Sequence, residues 1–102
     1  MARDFDFRNQ IRDAAASAPR NIAEGFGRFH PADFARFVEI AKASLTETHH
    51  HLRDGYDRGY FSEPDCSRLS KLTGRAAKAA ISLIRYLRQK ARQQRRSRSH
   101  SQ

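Results

Sequence analysis

The segment "NIAEGFGR", residues 21–28, sets two glycines one residue apart beside an acid and a base. Such a segment could cradle a phosphate. A dinucleotide-binding loop, however, needs a preceding strand and a third glycine three residues on, where this chain has His30 and a helical pattern comes before. No Gly-Lys-Ser/Thr follows to make a phosphate loop. Gly25 and Gly27 instead fit a helix that ends and must turn tightly before Pro31. A left-handed cap at one of them would be worth ~1 kcal/mol against alanine. Asn21 is expected to bond backbone left open by Pro19, and Glu24 to pair with Arg28 one turn on. None of these residues is a catalytic candidate.

The run "THHHLRD" invites a metal, but consecutive histidines on a helix point about 100° apart. His50 and Asp54 are the one well-spaced pair, and a structural zinc site wants about four ligands. Cys66 is the single cysteine, without a CxxC partner or an intramolecular disulfide. It falls at a helix start, and packing is its expected role. We therefore expect no metal, no cofactor and no enzymatic activity.

The strongest chemical signal is charge. Residues 1–65 carry a net of −2, whereas residues 66–102 hold eleven Lys/Arg and no acid, so the chain's +9 belongs to one end. Arg68, Lys71, Arg75, Lys78, Arg85 and Arg88 fall on a helical pattern. Lys90, Arg92, Arg95, Arg96 and Arg98 follow in "QKARQQRRSRSHSQ". Arginine forks match phosphate geometry, and arginine-rich segments order on RNA, so these eleven are the candidate nucleic-acid contacts. The plainer reading is a solvated tail that only aids solubility.

The elements that must position these groups are helices. Phe7, Ile11, Ala14/Ala15, Ala18, Ile22 and Phe26 recur by threes and fours, and the phase runs on through Pro19. This predicts one helix, kinked at the proline beside the small residues 14–17. A second pattern opens at "HPADF", with Pro31 in the first turn and Asp33 near the positive dipole end, and Gly59 stops it. A third opens at "SEPD", with Ser62 as cap and Asp65 in the reciprocal position. Its apolar stripe runs to Leu87 and fades from Lys90. The short linkers predict antiparallel neighbours. We thus expect a helical domain over 1–89 and a disordered basic tail over 90–102. One domain is all that 102 residues usually hold. Mean hydropathy is −0.84, no apolar run approaches the ~18 residues of a membrane span, and acids stand where a signal peptide would be apolar. A soluble cytoplasmic protein with no membrane contact is expected.

Three stretches, "QIRDAAASAPRNIAEGFGR", "DFARFVEIAKASLTE" and "YDRGYFSE", resemble the bacterial four-helix-bundle family of 23S rRNA-intervening-sequence proteins. That family is related to the accessory variability determinants of diversity-generating retroelements. The resemblance runs from about Asn9 to Leu87. Its marks are Pro19, Asn21, Ile22, Ala23, Glu24, Gly25 and Gly27, then Ser44, Leu45, Glu47, Tyr56, Asp57, Gly59 and Tyr60. It implies an antiparallel up-down bundle, a barrel-like homopentamer, basic surfaces suited to nucleic acid, and no catalytic residues. In the retroelement branch the pentamer serves a reverse transcriptase and its RNA.

Family members usually carry a further long helix before "QIR", often with a tryptophan, where this chain has only "MARDFDFR". Either that helix is missing or truncated, or the chain starts further upstream. Thr48, Arg53, Asp54 and Arg58 replace residues that are usually apolar, which would ease exposure of a face the lost helix once covered. The expected function is an oligomeric scaffold that binds RNA or DNA through the third helix and tail. The alternative is a protein-interaction module, for example for a reverse transcriptase. The aromatic excess at Phe29, Phe34, Phe37, Tyr60 and Phe61 is expected to favour association of copies, because small domains are marginal alone.

Overall fold

In a computed structural model, which describes the backbone over residues 2–101 and the side chains over 8–98, the chain forms three helices. They are α1 (Ala2–Phe26), α2 (Pro31–Asp57) and α3 (Glu63–Ser101), and no strand occurs among the described residues. The expected all-α fold is borne out. The side chain of Phe7 and those of residues 99–102 lie outside the description.

Local chemistry sets the boundaries. Pro31 opens α2 and needs no partner for the N–H it lacks. Gly59 closes α2 in the left-handed region at φ +81°, where a Cβ would be strained. Tyr60 N–H then donates to the Gly55 carbonyl (2.8 Å) and Gly59 N–H to the Tyr56 carbonyl (3.0 Å), the paired bonds of a Schellman turn. Asp65 N–H donates to Ser62 Oγ (3.3 Å), so Ser62 caps α3. The Asp65 carboxylate turns to Arg68 (3.5 Å).

α1 passes through Pro19 as one helix. Asn21 Nδ2 donates to the Ser17 carbonyl (2.8 Å), not to the Ala15 carbonyl that Pro19 leaves open, so the partner expected for it is corrected. Glu24 and Arg28 pair at 2.9 Å.

Two further expectations are corrected. Among the described glycines only Gly59 has positive φ, so neither Gly25 nor Gly27 is a left-handed cap. Gly25 is buried in the last turn of α1, and a Cβ there would stand 2.8 Å from both Phe34 Cδ1 and Phe37 Cβ. Its hydrogen lets α1 press onto α2. Gly27 meets nothing closer than 3.6 Å. The second correction concerns the tail: α3 crosses residue 90 without a break and continues to Ser101. Gln, Lys, Ala and Arg are good helix formers, no Gly or Pro interrupts them, and the cations suit the negative dipole end. Ala91 is buried, which carries the apolar stripe one turn past Leu87.

The helices run up, down and up, with α2 in the middle. No Cα of α1 lies within 8 Å of α3 among the described residues. Three helices side by side at 8–10 Å spacing span roughly 20–25 Å, and the molecule measures 63 × 23 × 14 Å. Its radius of gyration is 17.4 Å, against the ~13 Å of a compact domain this long. The helices form a layer. Val38 is the one large side chain described as fully buried.

Helical geometry divides the layer into two broad faces. One carries Ile22 and Phe26 of α1, Phe34 and Leu45 of α2, and Leu72 and Leu83 of α3. Phe26 meets Phe34 edge-on at 6.1 Å, and Phe26 and Leu72 are 78% and 52% exposed. The other face carries Arg36, Glu39, Glu47 and Asp54, with Ile40 and Ile81 as isolated apolar residues. Of the polar residues expected where a lost helix once lay, Arg53 and Arg58 are exposed. Thr48 is buried and donates to the Ser44 carbonyl (2.8 Å).

Candidate nucleic-acid interface

The eleven candidate cations all lie on α3, and the helix sorts them by angle. Arg68, Lys71, Arg75, Lys78, Arg85, Arg92 and Arg96 fall within roughly 120° of one another on the edge turned away from α2. All seven are exposed. From residue 68 to 96 the stripe runs roughly 40 Å along the axis. Within it, Arg68 shares charge with Asp65 at 3.5 Å.

The other four look elsewhere. Arg88 reaches across to α2 and meets Glu39 at 3.2 Å, so it carries a counter-acid the sequence did not reveal. Arg95 and Arg98 lie beside His30 and Pro31 at the start of α2. Lys90 Nζ sits 5.8 Å from the centre of the Tyr86 ring. Lys90 and Arg98 also share a cleft with Phe29. Sequence reasoning placed Phe29 only among surplus aromatics. It stands alone, whereas Phe34, Phe37 and Phe61 are half-buried. Phe37 lies under Arg28 and Arg36, at 4.9 and 5.8 Å.

The groups that could have done other chemistry are engaged locally. His51 Nε2 faces Glu47 at 3.5 Å, and Asp54 pairs with Arg58 at 3.3 Å. No three His, Cys, Asp or Glu among the described residues could hold a metal. Cys66 is buried, its Sγ 3.7 Å from the Leu52 carbonyl, as expected of a packing cysteine. No described helix is long and apolar enough to cross a membrane.

Residues 1–82 match the family described as 23S rRNA-intervening sequence protein. The chain belongs to that family. The comparisons with curated proteins and with solved structures returned no match. The matched part of this intervening-sequence protein covers α1, α2 and the first half of α3. Arg68, Lys71, Arg75 and Lys78 lie within it. Arg85 and the six cations after it lie past it, on the continuation of the same helix.

Proposed function

We propose that this intervening-sequence protein is a non-enzymatic scaffold, built from several copies of itself, that carries RNA or DNA along the outer edge of α3. The observation that carries the reading is the layer itself: one broad face apolar and uncovered, one long edge cationic. An exposed apolar face on so thin a domain favours association, since burying it gains ~25 cal/mol per Å². The family resemblance implies five copies. The cationic edge offers phosphates a straight, regularly spaced row on a rigid element, which fixes position without reading sequence. Arginine forks add geometry to charge.

A gel shift on the full chain tests the nucleic-acid half. Structured RNA and duplex DNA are both expected to bind at low salt. Affinity is expected to fall with a log–log slope of roughly 0.7–0.9 per phosphate contact. Replacing Lys71, Arg75 and Lys78 together by glutamate should abolish most binding, since all three are exposed on the cationic edge. Absence of binding to either polymer at low salt would remove this half and leave a protein partner on the apolar face.

A further inference from the structure

Where the turn between α1 and α2 meets the C-terminal half of α3, an open cleft of about 560 Å³ lies apart from the outer-edge stripe. Phe29 projects from the turn, 97% exposed, and forms one wall beside His30. α3 forms the other wall. Lys90, Gln94 and Arg98 recur every four residues, so they stack along one line of the helix, and Gln93 lies beside them. No carboxylate lines the cleft. A second, smaller cleft of about 240 Å³ shares His30, Gln94 and Arg98 and adds Arg95.

A free phenyl ring among cations, amides, an imidazole and the Ser97 hydroxyl, with no acid beside it, is ill suited to most partners. An apolar protein surface would have to desolvate Lys90 and Arg98 without pairing them. A free anion would ignore the ring. A nucleotide with its base unpaired uses both, because every base has a π face to stack and a phosphate on either side. The glutamine amides can both donate to and accept from a base edge.

We infer that this cleft holds one unpaired nucleotide of a strand whose backbone follows α3, its base stacked on Phe29 and its flanking phosphates on Lys90 and Arg98. The inference rests on the nucleic-acid reading above and adds the class of ligand, a bulged or single-stranded nucleotide beside a helical segment. Gln93 and Gln94 meet the base edge. Specificity for unpaired positions comes from the ring, and general affinity from the stripe.

The test uses the full chain and two RNA hairpins closed by a non-nucleotide linker in place of a loop, one with a 2-aminopurine in a single-nucleotide bulge and one fully paired. Binding of the bulged hairpin to the unsubstituted protein quenches the 2-aminopurine fluorescence. Phe29→Ala removes the quench and weakens that hairpin's binding roughly 5- to 150-fold, the worth of one base–aromatic stack. It leaves the fully paired hairpin and the mass by light scattering unchanged, and Phe29→Tyr restores the quench. Equal affinity of Phe29→Ala and the unsubstituted chain for the bulged hairpin overturns the inference while the backbone reading stands. A lowered mass for Phe29→Ala overturns it too, because the ring then belongs to a contact between copies. Failure of the unsubstituted chain to bind either hairpin, and duplex DNA as well, at low salt defeats both readings together.

Discussion

Across the seam between α1 and α2 the buried residues are Ala14, Ala18, Gly25, Ala41 and Ser44, whereas in the seam between α2 and α3 Val38, Leu52, Ile84 and Leu87 join the buried Ala35, Ala80 and Ala91. The first seam is made of small residues and hydrogen bonds, with Phe34 and Phe37 closing over Gly25. Ser44 Oγ reaches Ser17 Oγ at 2.8 Å across it, and Asn21 Nδ2 reaches the same oxygen at 3.1 Å. Directional bonds and a glycine contact work in one alignment only, so this seam fixes how α1 lies on α2. The second seam adds branched aliphatic volume to its alanines and is joined at its rim by Arg88 and Glu39. Volume tolerates small shifts, so it supplies stability and leaves orientation to its neighbour. One helix thus serves two packing rules on two sides.

The largest test of that contrast is Ile84→Ala, which removes a branched side chain from the aliphatic cluster. A loss of about 2–5 kcal/mol is expected in urea unfolding at fixed protein concentration. A loss below ~1 kcal/mol would mean the cluster is not the stabilising seam. Gly25→Ala should come next. A helical alanine gains up to ~1 kcal/mol of propensity, but a Cβ at 2.8 Å from Phe37 Cβ forces α1 off α2, for ~1–3 kcal/mol of overpacking. We expect a net loss of ~1–2 kcal/mol, with Gly27→Ala neutral or slightly stabilising. If the two variants unfold alike, Gly25 is not a close-approach residue.

A double-mutant cycle on Ser17→Ala and Ser44→Ala should show a coupling of ~0.5–1.5 kcal/mol. No coupling would make the hydroxyl bond incidental to register. Arg88→Gln should do least. Its pair with Glu39 is half exposed, and such pairs are worth about 0–1 kcal/mol.

What could be read from the sequence was whatever local chemistry decides. Gly59, Ser62 and Pro31 act within a few residues of themselves, and so does the pair Glu24–Arg28. All were legible. Periodicity showed that each helix has a buried stripe, but not whether one neighbour or two would cover it, so an open layer looked the same as a bundle. Gly25 was legible as a glycine near a helix end. Its purpose depends on Phe37, twelve positions away. The Arg, Gln and Ser of residues 90–101 belong equally to disordered tails and to exposed helix, and only the burial of Ala91 against the start of α2 decides between them. The spacing of Lys90, Gln94 and Arg98 was in the sequence, but nothing there brought Phe29 to them.

Both seams leave the same broad face uncovered, and the scaffold reading depends on what lies over it. Light scattering of the full chain at micromolar concentration measures this most directly. The account predicts a mass that is a whole multiple, two or more, of the 11.7 kDa chain. A clean 11.7 kDa species that unfolds cooperatively would show that the open layer stands alone, and would contradict it.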